Sequence, residues 1–149
     1  MGAYRASVRW RRETPDFAYE TYDRGHVIGL GGGQTLAGSS APEYAGDAAK
    51  ANPEELLAAA LASCHMLTFL AVAAKSRLVV DAYEDEAVAE LGKNAAGKLA
   101  VTKVTLRPRV TWGGEAPSAE RLAGLHDKAH ANCFVANSVT AEVVIEPVA

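Results

Sequence analysis

One long apolar segment constrains the fold of this chain more than any other feature. Residues 56–74 read LLAAALASCHMLTFLAVAA, a run almost as long as a membrane-spanning helix. Four residues interrupt the run near its middle: Ser63, Cys64, His65 and Thr68. Because the run is rich in alanine and is the only one of its kind, we interpret it as a helix of a globular core. We expect that helix to be buried on most of its sides.

The residues before this segment carry the signals of a helix start. Asn52 is a favourable N-cap, Pro53 fits the first helical position, and Glu55 stands at the acidic position of a capping box. The apolar pattern continues to the basic residues Lys75 and Arg77, which suit a helix C-terminus. The sequence therefore predicts a helix from Pro53 to about Lys75 or Arg77.

Alternating apolar residues on both sides of this helix predict β-strands. A second helix is predicted from an N-cap at Ser118 to about His130 or Asn132, and Pro108 is expected at a strand edge or bulge. Strands separated by isolated helices indicate an α+β fold, and the length suits one domain over residues 1–149. The predicted strands are 4–10, 17–22, 27–30, 78–91, 98–112 and 140–148.

Charge and composition disfavour several functions. The formal net charge is -3 and charged residues of both signs are mixed, so no basic surface for nucleic acid is expected. The N-terminal residues lack the apolar stretch of a secretory signal peptide, so we expect a cytoplasmic protein that does not act at a membrane. The chain has only two cysteines, which in the cytoplasm indicate reactive thiols or a metal site more than a structural disulfide.

The two cysteines leave three interpretations open. Cys64 lies mid-helix in apolar surroundings, where a cysteine is often a small buried hydrophobic residue. Cys133 follows the second predicted helix, so the two thiols could form a redox pair if the helices pack together. Alternatively, His126, His130 and Cys133 follow i, i+4 and i+7 spacing and could bind zinc, with Cys64 or His65 as a fourth ligand. That spacing matches no common zinc pattern.

The segment that opens with Asn52, Pro53 and Glu54 resembles a family motif. In the OsmC/Ohr family of osmotically induced and organic hydroperoxide resistance proteins, an N-P-E sequence opens a long helix. The peroxidatic cysteine follows the glutamate by ten residues, as Cys64 follows Glu54 here. The late Cys133 matches the second family cysteine, and the resemblance extends over nearly the whole chain.

Two departures from the usual family sequences indicate an OsmC-like branch rather than a standard Ohr enzyme. The first cysteine stands in the sequence Ser63-Cys64-His65-Met66, and Phe134 follows the second cysteine where many members have proline. These departures concern the residues around the thiols and therefore bear on the substrate more than on the fold.

The resemblance implies a role for each site residue. Cys64 would attack the hydroperoxide, and Cys133 would resolve the product as a disulfide. Arg24 would support the Cys64 thiolate, and Glu54 would hold the arginine. Ten helical residues span about 15 Å, so Glu54 does not lie beside Cys64 on a straight helix. Either Arg24 bridges this gap or Glu54 serves the site of a second subunit.

Two histidines are further candidates for lining the site. His65 follows Cys64 directly but lies about 100° around the helix, and His26 lies close to Arg24. Each of them could tune the thiols or only pack against its neighbours.

The resemblance also implies the reaction, its partners and the architecture. The protein would be a thiol-dependent peroxidase that reduces organic hydroperoxides to alcohols, with hydrogen peroxide as a further candidate substrate. It would use a dithiol reductant and need no cofactor or metal. The expected fold has antiparallel sheets around the long helix, in an intertwined homodimer. The competing interpretation is a non-enzymatic stress or ligand-binding protein of the same fold with redox-sensing cysteines.

Overall fold

The computed structural model describes all 149 residues, Met1–Ala149. The chain divides into two units, Met1–Leu56 and Leu57–Ala149, and the division falls just after the first turn of the long helix. The single domain expected over residues 1–149 stays a prediction.

The first unit contains a three-stranded antiparallel sheet. Its strands are β1 (Ala6–Arg9), β2 (His26–Leu30) and β3 (Thr35–Gly38), with β2 in the centre. The hairpin between β2 and β3 turns at Gly33, whose φ of 90° is a conformation that glycine adopts at little cost. The predicted strands 4–10 and 27–30 are confirmed, whereas β3 was not expected from the sequence.

The predicted strand 17–22 is wrong. These residues form a turn, because the amides of Thr21 and Tyr22 both donate to the carbonyl oxygen of Ala18, at 3.1 and 3.0 Å. The alternating aromatic residues do not line a sheet. Instead, Phe17 and Tyr22 pack on Trp10, with ring centroids 5.7 and 6.2 Å from it.

The long helix α1 (Pro53–Lys75) has the predicted bounds. Its first turn contains the predicted capping box. The Glu55 amide donates to Asn52 Oδ1 at 2.9 Å, and the Asn52 amide donates to Glu55 Oε1 at 3.1 Å. The start of the helix is therefore fixed by side chains within four residues of one another.

The second unit combines most of α1 with five strands and a second helix. The helix α2 (Ala119–Asn132) begins as predicted, with Ser118 Oγ accepting from the Arg121 amide. The strands are β4 (Val80–Asp85), β5 (Val88–Lys93), β6 (Leu99–Leu106), β7 (Pro108–Trp112) and β8 (Glu142–Ile145). They form two sheets. One contains β4 and β7, and the other contains β5, β6 and β8, with β6 in the centre.

The α+β class and the antiparallel pairing predicted from the sequence are confirmed, with one parallel pair added. β4 pairs with β7 and β5 pairs with β6 in antiparallel fashion, whereas β8 lies parallel to β6. The predicted strand 98–112 is divided at Arg107, where the chain leaves one sheet and enters the other. Pro108, expected at an edge or bulge, is the first residue of β7, where its missing amide hydrogen breaks no ladder.

The expectation that α1 is buried on most sides is wrong for this chain. One face is buried, at intervals of three and four residues, while the opposite face is alanine-rich and exposed. By length and mean hydropathy α1 could cross a membrane, but its buried face carries a histidine and packs on the rest of the second unit, as in a core helix. The buried residues are Ala58, Leu61, His65, Phe69 and Ala73.

The buried face of α1 contacts two apolar clusters. Its N-terminal half packs Leu61 against Val104 and Leu106 of β6. Its C-terminal half packs Phe69 and Ala73 against α2, where Leu125 and Ala129 face it. The residues between these two clusters are the ones that bear the site described next.

Candidate functional site at the two cysteines

Cys64 lies on α1 between its buried and exposed faces. Its side chain is half-buried and its thiol is free. Its backbone carbonyl accepts a hydrogen bond from Thr68 Oγ1 at 2.8 Å, within the helix. Cys64 is therefore held on a rigid element and stays partly accessible to solvent.

Cys133 lies directly after α2 and beside Cys64. It caps the helix, with its amide donating to the carbonyl oxygen of His130, and its side chain is only 1% exposed. Its sulfur accepts a hydrogen bond from the Ala136 amide at 3.4 Å. The chain after α2 thus folds back on itself and holds the second thiol inside the protein.

The surroundings of Cys133 keep it protonated. Burial raises its pKa to about 11, and a hydrogen bond with the Cys64 side chain and negative charge on Cys64 act in the same direction. The thiol of Cys133 therefore remains neutral at physiological pH. Of the two adjacent sulfurs, Cys64 is the more accessible and is the one that a substrate can reach.

A pair of buried histidines joins the two helices that carry the cysteines. His65 of α1 and His126 of α2 are 1% and 3% exposed, and His65 Nε2 lies 3.0 Å from His126 Nδ1. One ring donates and the other accepts. Burial lowers the pKa of both, to about 4 for His65, where the nearby His126 and His130 lower it further. The pair is neutral at pH 7.

The histidine pair leaves several ring nitrogens without partners. His65 Nδ1, His126 Nε2 and His130 Nδ1 are buried and make no hydrogen bond. The sequence showed the i, i+4 spacing of His126 and His130, but the hydrogen bond between His126 and His65 of α1 was missed. A hydrogen bond across 61 residues leaves no local signal in a sequence.

The zinc interpretation gains no support. α2 ends at Asn132, so Cys133 lies outside the helical face that His126 and His130 share. No group of three His, Cys, Asp or Glu side chains converges closely enough to hold a metal ion. The buried histidines instead pack against aromatic rings, with His126 stacked on Phe69 at a centroid distance of 4.5 Å.

Arg24 lies in the first unit, in the turn before β2. Its guanidinium donates to the carbonyl oxygens of Tyr22 and Tyr19, at 2.6 and 2.5 Å. It also lies over both tyrosine rings, with the guanidinium carbon 3.7 Å from the centroid of Tyr22. The arginine is therefore held in a defined position by the aromatic turn that replaces the predicted strand 17–22.

Glu54 and His26 also belong to the first unit. Glu54 is half-buried in the first turn of α1 and forms no salt bridge with Arg24. His26 begins β2, and its Nδ1 lies 2.8 Å from the carbonyl oxygen of Arg24. The roles of Arg24, Glu54 and His26 at the thiols stay predictions.

An open groove of about 600 Å³ lies in the second unit. Thr68, one turn after Cys64, and Phe134, which directly follows Cys133, both line it. Its lining mixes apolar and polar side chains, and two of the apolar residues are exposed, Leu67 at 61% and Phe134 at 84%. The remaining lining residues are Ala71, Val72, Lys75, Ser76, Lys128 and Asn132.

Solved structures with this fold come from several bacteria. An organic hydroperoxide resistance protein, OsmC, from Legionella pneumophila is 18% identical, with a TM-score of 0.73 over 99% of this chain and 96% of that one. The organic hydroperoxide resistance protein OhrB of Bacillus subtilis is 21% identical, with a TM-score of 0.72 over 99% and 98%. At these identities the likeness concerns the fold. The comparison with curated protein sequences gives no significant match.

A more similar structure and a family model establish the relationship. An OsmC-like protein of unknown function from Vibrio cholerae is 44% identical, with a TM-score of 0.94 over 99% of this chain and 100% of that one. The family model described as OsmC-like protein matches residues 46–148, which include α1, both cysteines and the buried histidine pair. The chain belongs to the OsmC-like protein family.

Proposed function

We propose that the protein is a cysteine-based peroxidase that reduces organic hydroperoxides and so takes part in oxidative-stress defence. The observation that carries the proposal is the pair of adjacent free thiols, with Cys64 partly accessible and Cys133 buried and protonated. This asymmetry suits an attacking and a resolving cysteine. The names of the Legionella and Bacillus structures, organic hydroperoxide resistance proteins, support the substrate class.

The first step is the attack of the Cys64 thiolate on the terminal oxygen of the hydroperoxide. The O–O bond breaks, the sulfur is oxidised by two electrons to a sulfenic acid, and the alkoxide takes a proton and leaves as the alcohol. The thiolate is the reactive form, so a positive charge near Cys64 promotes this step. We assign that role to Arg24, as the family resemblance implies. Because Glu54 forms no salt bridge with Arg24 within one chain, it would hold the guanidinium of a second subunit.

In the second step the thiol of Cys133 loses its proton as its sulfur attacks the sulfenic acid sulfur of Cys64. A disulfide forms, and the sulfenic hydroxyl leaves with that proton as water. A dithiol reductant then restores both thiols by exchange and is itself oxidised to a disulfide. The cycle requires no flavin, haem or metal. A cytoplasmic location, where thiols are kept reduced, suits this cycle.

The lining of the groove favours hydroperoxides that carry an apolar group. Four of its nine lining residues, Leu67, Ala71, Val72 and Phe134, are apolar, and Phe134 directly follows Cys133. We therefore expect cumene and tert-butyl hydroperoxide to be better substrates than hydrogen peroxide. His26 and His65 remain candidates for lining the site, and the next subsection gives His65 a more specific role.

We propose that the protein works as a homodimer whose second copy covers the exposed face of α1. Leu67 and Phe134 are exposed apolar residues on the same groove, and contiguous exposed apolar patches mark interaction surfaces in soluble proteins. Sedimentation equilibrium is expected to give twice the chain mass, and Leu67→Glu is expected to lower it toward that of one chain. A wild-type protein that sediments as a monomer at micromolar concentration would contradict the dimer.

The competing proposal is a redox sensor in which the same disulfide forms without turnover. The decisive experiment measures the rate at which cumene hydroperoxide is consumed in the presence of dithiothreitol. Peptide mapping after one equivalent of peroxide measures the Cys64–Cys133 disulfide in parallel. We expect sustained turnover over many equivalents. Disulfide formation that stops after one equivalent, with excess dithiol present, would support the sensor instead.

A further inference from the structure

We propose that the hydrogen bond between His65 and His126 is a positioning device that sets the approach of Cys64 and Cys133. This inference rests on the proposed role of the two thiols as a redox pair. It gives the buried histidines a function in forming the disulfide and none in attacking the peroxide. His65 and His126 are thus positioning residues, not catalytic ones.

The first argument concerns how the two cysteines are brought together. Cys64 lies within α1, while Cys133 directly follows α2, and its amide is bound to the carbonyl oxygen of His130 in the last turn. The two cysteines are connected covalently only through the 68 residues between them. Their separation therefore depends on the rotation and translation of α2 relative to α1.

The second argument concerns what fixes this relationship. The apolar contacts between the helices involve Phe69 and Ala73 on one side and Leu125 and Ala129 on the other. Apolar packing is not directional, and the two alanines present little shape. The bond between His65 Nε2 and His126 Nδ1, at 3.0 Å, is the one hydrogen bond between side chains of the two helices. Together with the stacking of His126 on Phe69, it adds an oriented contact to this packing.

The third argument concerns location. His65 is the residue after Cys64, so a shift of the ring moves the thiol with it. His126 lies one helical turn before His130, whose carbonyl oxygen holds the amide of Cys133. The two ends of the histidine bond thus connect through short stretches of helix to both sulfurs.

The fourth argument is that stability does not explain the pair. In either tautomeric arrangement a neutral pair makes one hydrogen bond and leaves His65 Nδ1 and His126 Nε2 buried without partners. An unsatisfied buried polar group is costly, and replacing both partners by apolar groups of similar shape is often nearly neutral. A directional contact that adds little stability fits a role in positioning.

The test is the effective concentration of one thiol at the other, measured by equilibration with reduced and oxidised dithiothreitol. In this reaction two protein thiols become a disulfide while the cyclic dithiothreitol disulfide becomes a dithiol. No peroxide is involved, so the measurement stands even if the protein proves to have no peroxidase activity. The Cys64–Cys133 disulfide is measured by mass spectrometry after acid quenching.

The central variant is the double substitution His65→Leu with His126→Leu. It removes the hydrogen bond and every unsatisfied ring nitrogen of the pair, so we expect wild-type stability or better. We nevertheless expect the effective concentration to fall by about tenfold or more, because orientation between reacting groups is lost. If the histidine pair served only stability, a stable double-leucine variant would have the same effective concentration as wild type.

Two conservative variants serve as matched controls. Glutamine at position 65 can place an amide nitrogen near the site of Nε2, and asparagine at position 126 can do the same for Nδ1. His65→Gln and His126→Asn should therefore keep the effective concentration within about threefold of wild type. Alkylation of Cys64 by iodoacetamide, in a Cys133→Ser background, should not change in any of these variants, since the thiol itself is not altered.

Three results would overturn the inference. The first is a folded double-leucine variant whose effective concentration equals that of wild type. The second is a loss in His126→Asn as large as in the double-leucine variant. If the double-leucine protein fails to fold, His126→Leu alone, compared with His126→Asn, gives the same contrast. Absence of the disulfide in wild type at full oxidation would also reject it.

Discussion

Replacing Cys64 with serine is expected to lower kcat/KM for cumene hydroperoxide by at least about 1,000-fold, or about 4 kcal/mol of transition-state stabilisation. A serine hydroxyl does not ionise near neutral pH and is a much weaker nucleophile than a thiolate. The substitution changes one atom on a half-buried position of α1, so the fold should be unaffected. Peroxide consumption with dithiothreitol as reductant measures the loss.

The matched control is Cys133→Ser, which removes the other sulfur and leaves Cys64 in place. This variant should still consume about one equivalent of peroxide rapidly and form a sulfenic acid that dimedone traps. Without the resolving thiol, excess peroxide should convert Cys64 to the sulfinic acid. Turnover that survives in Cys64→Ser, or a stoichiometric reaction lost only in Cys133→Ser, would contradict the assigned roles.

Acidification is expected to destabilise the second unit through His65. The pKa of His65 is lowered from 6.5 to about 4 in the folded protein, mainly by burial. Below about pH 6.5 His65 is protonated in the unfolded chain but remains neutral in the folded chain. The free energy of unfolding therefore decreases as the pH is lowered. The loss is complete near pH 4 and amounts to about 3 kcal/mol, of which about 2 kcal/mol falls between pH 7 and pH 5.

The groups around His65 support this direction of change. His126 and His130 of α2 both disfavour a proton on it, and the pKa of His126 is itself lowered by burial. Asp127 favours the protonated form of His126 but does so less strongly than burial opposes it. Asp85 acts in the opposite sense, because burial raises its pKa and the folded chain then takes up a proton more readily.

The measurement is urea unfolding at pH 7 and pH 5, followed by the fluorescence of Trp112. This residue lies 6.2 Å from Phe69, and a Trp10→Phe background makes it the only tryptophan. We expect His65→Gln to lose about 2 kcal/mol less than the parent between these pH values, while Asp85 contributes equally to both. Equal losses in the two proteins would show that His65 does not carry the acid sensitivity.

The extent of α1 was predictable because its signals are local. Asn52 and Glu55 cap each other within four residues, and the apolar run continues without proline or glycine to Lys75. The prediction of a strand at 17–22 was wrong because its outcome depends on contacts with residues outside the segment. Its aromatic alternation matched a strand, but the rings pack on Trp10 and the backbone turns at Ala18, which sequence periodicity does not register.

The candidate site also combines features that the sequence indicates with features that only the tertiary structure reveals. Cys64 was proposed from its spacing to the N-P-E motif, and Cys133 from its match to the late family cysteine. Which cysteine is buried, and how the pKa of Cys133 is raised, became clear only once the chain after α2 was seen to fold back on itself. Burial is a property of all the surrounding elements, so no single segment of sequence specifies it.

The sequence by itself determined the α+β class, both helices and most of the strands. These follow from capping residues, periodicity and motif spacing, all of which act over short stretches of chain. The tertiary structure alone decided the change of sheets at Arg107, the single buried face of α1, and the bond between His65 and His126. Those features arise where segments distant in sequence pack together, and the free energy of that packing is shared among residues that no local pattern connects.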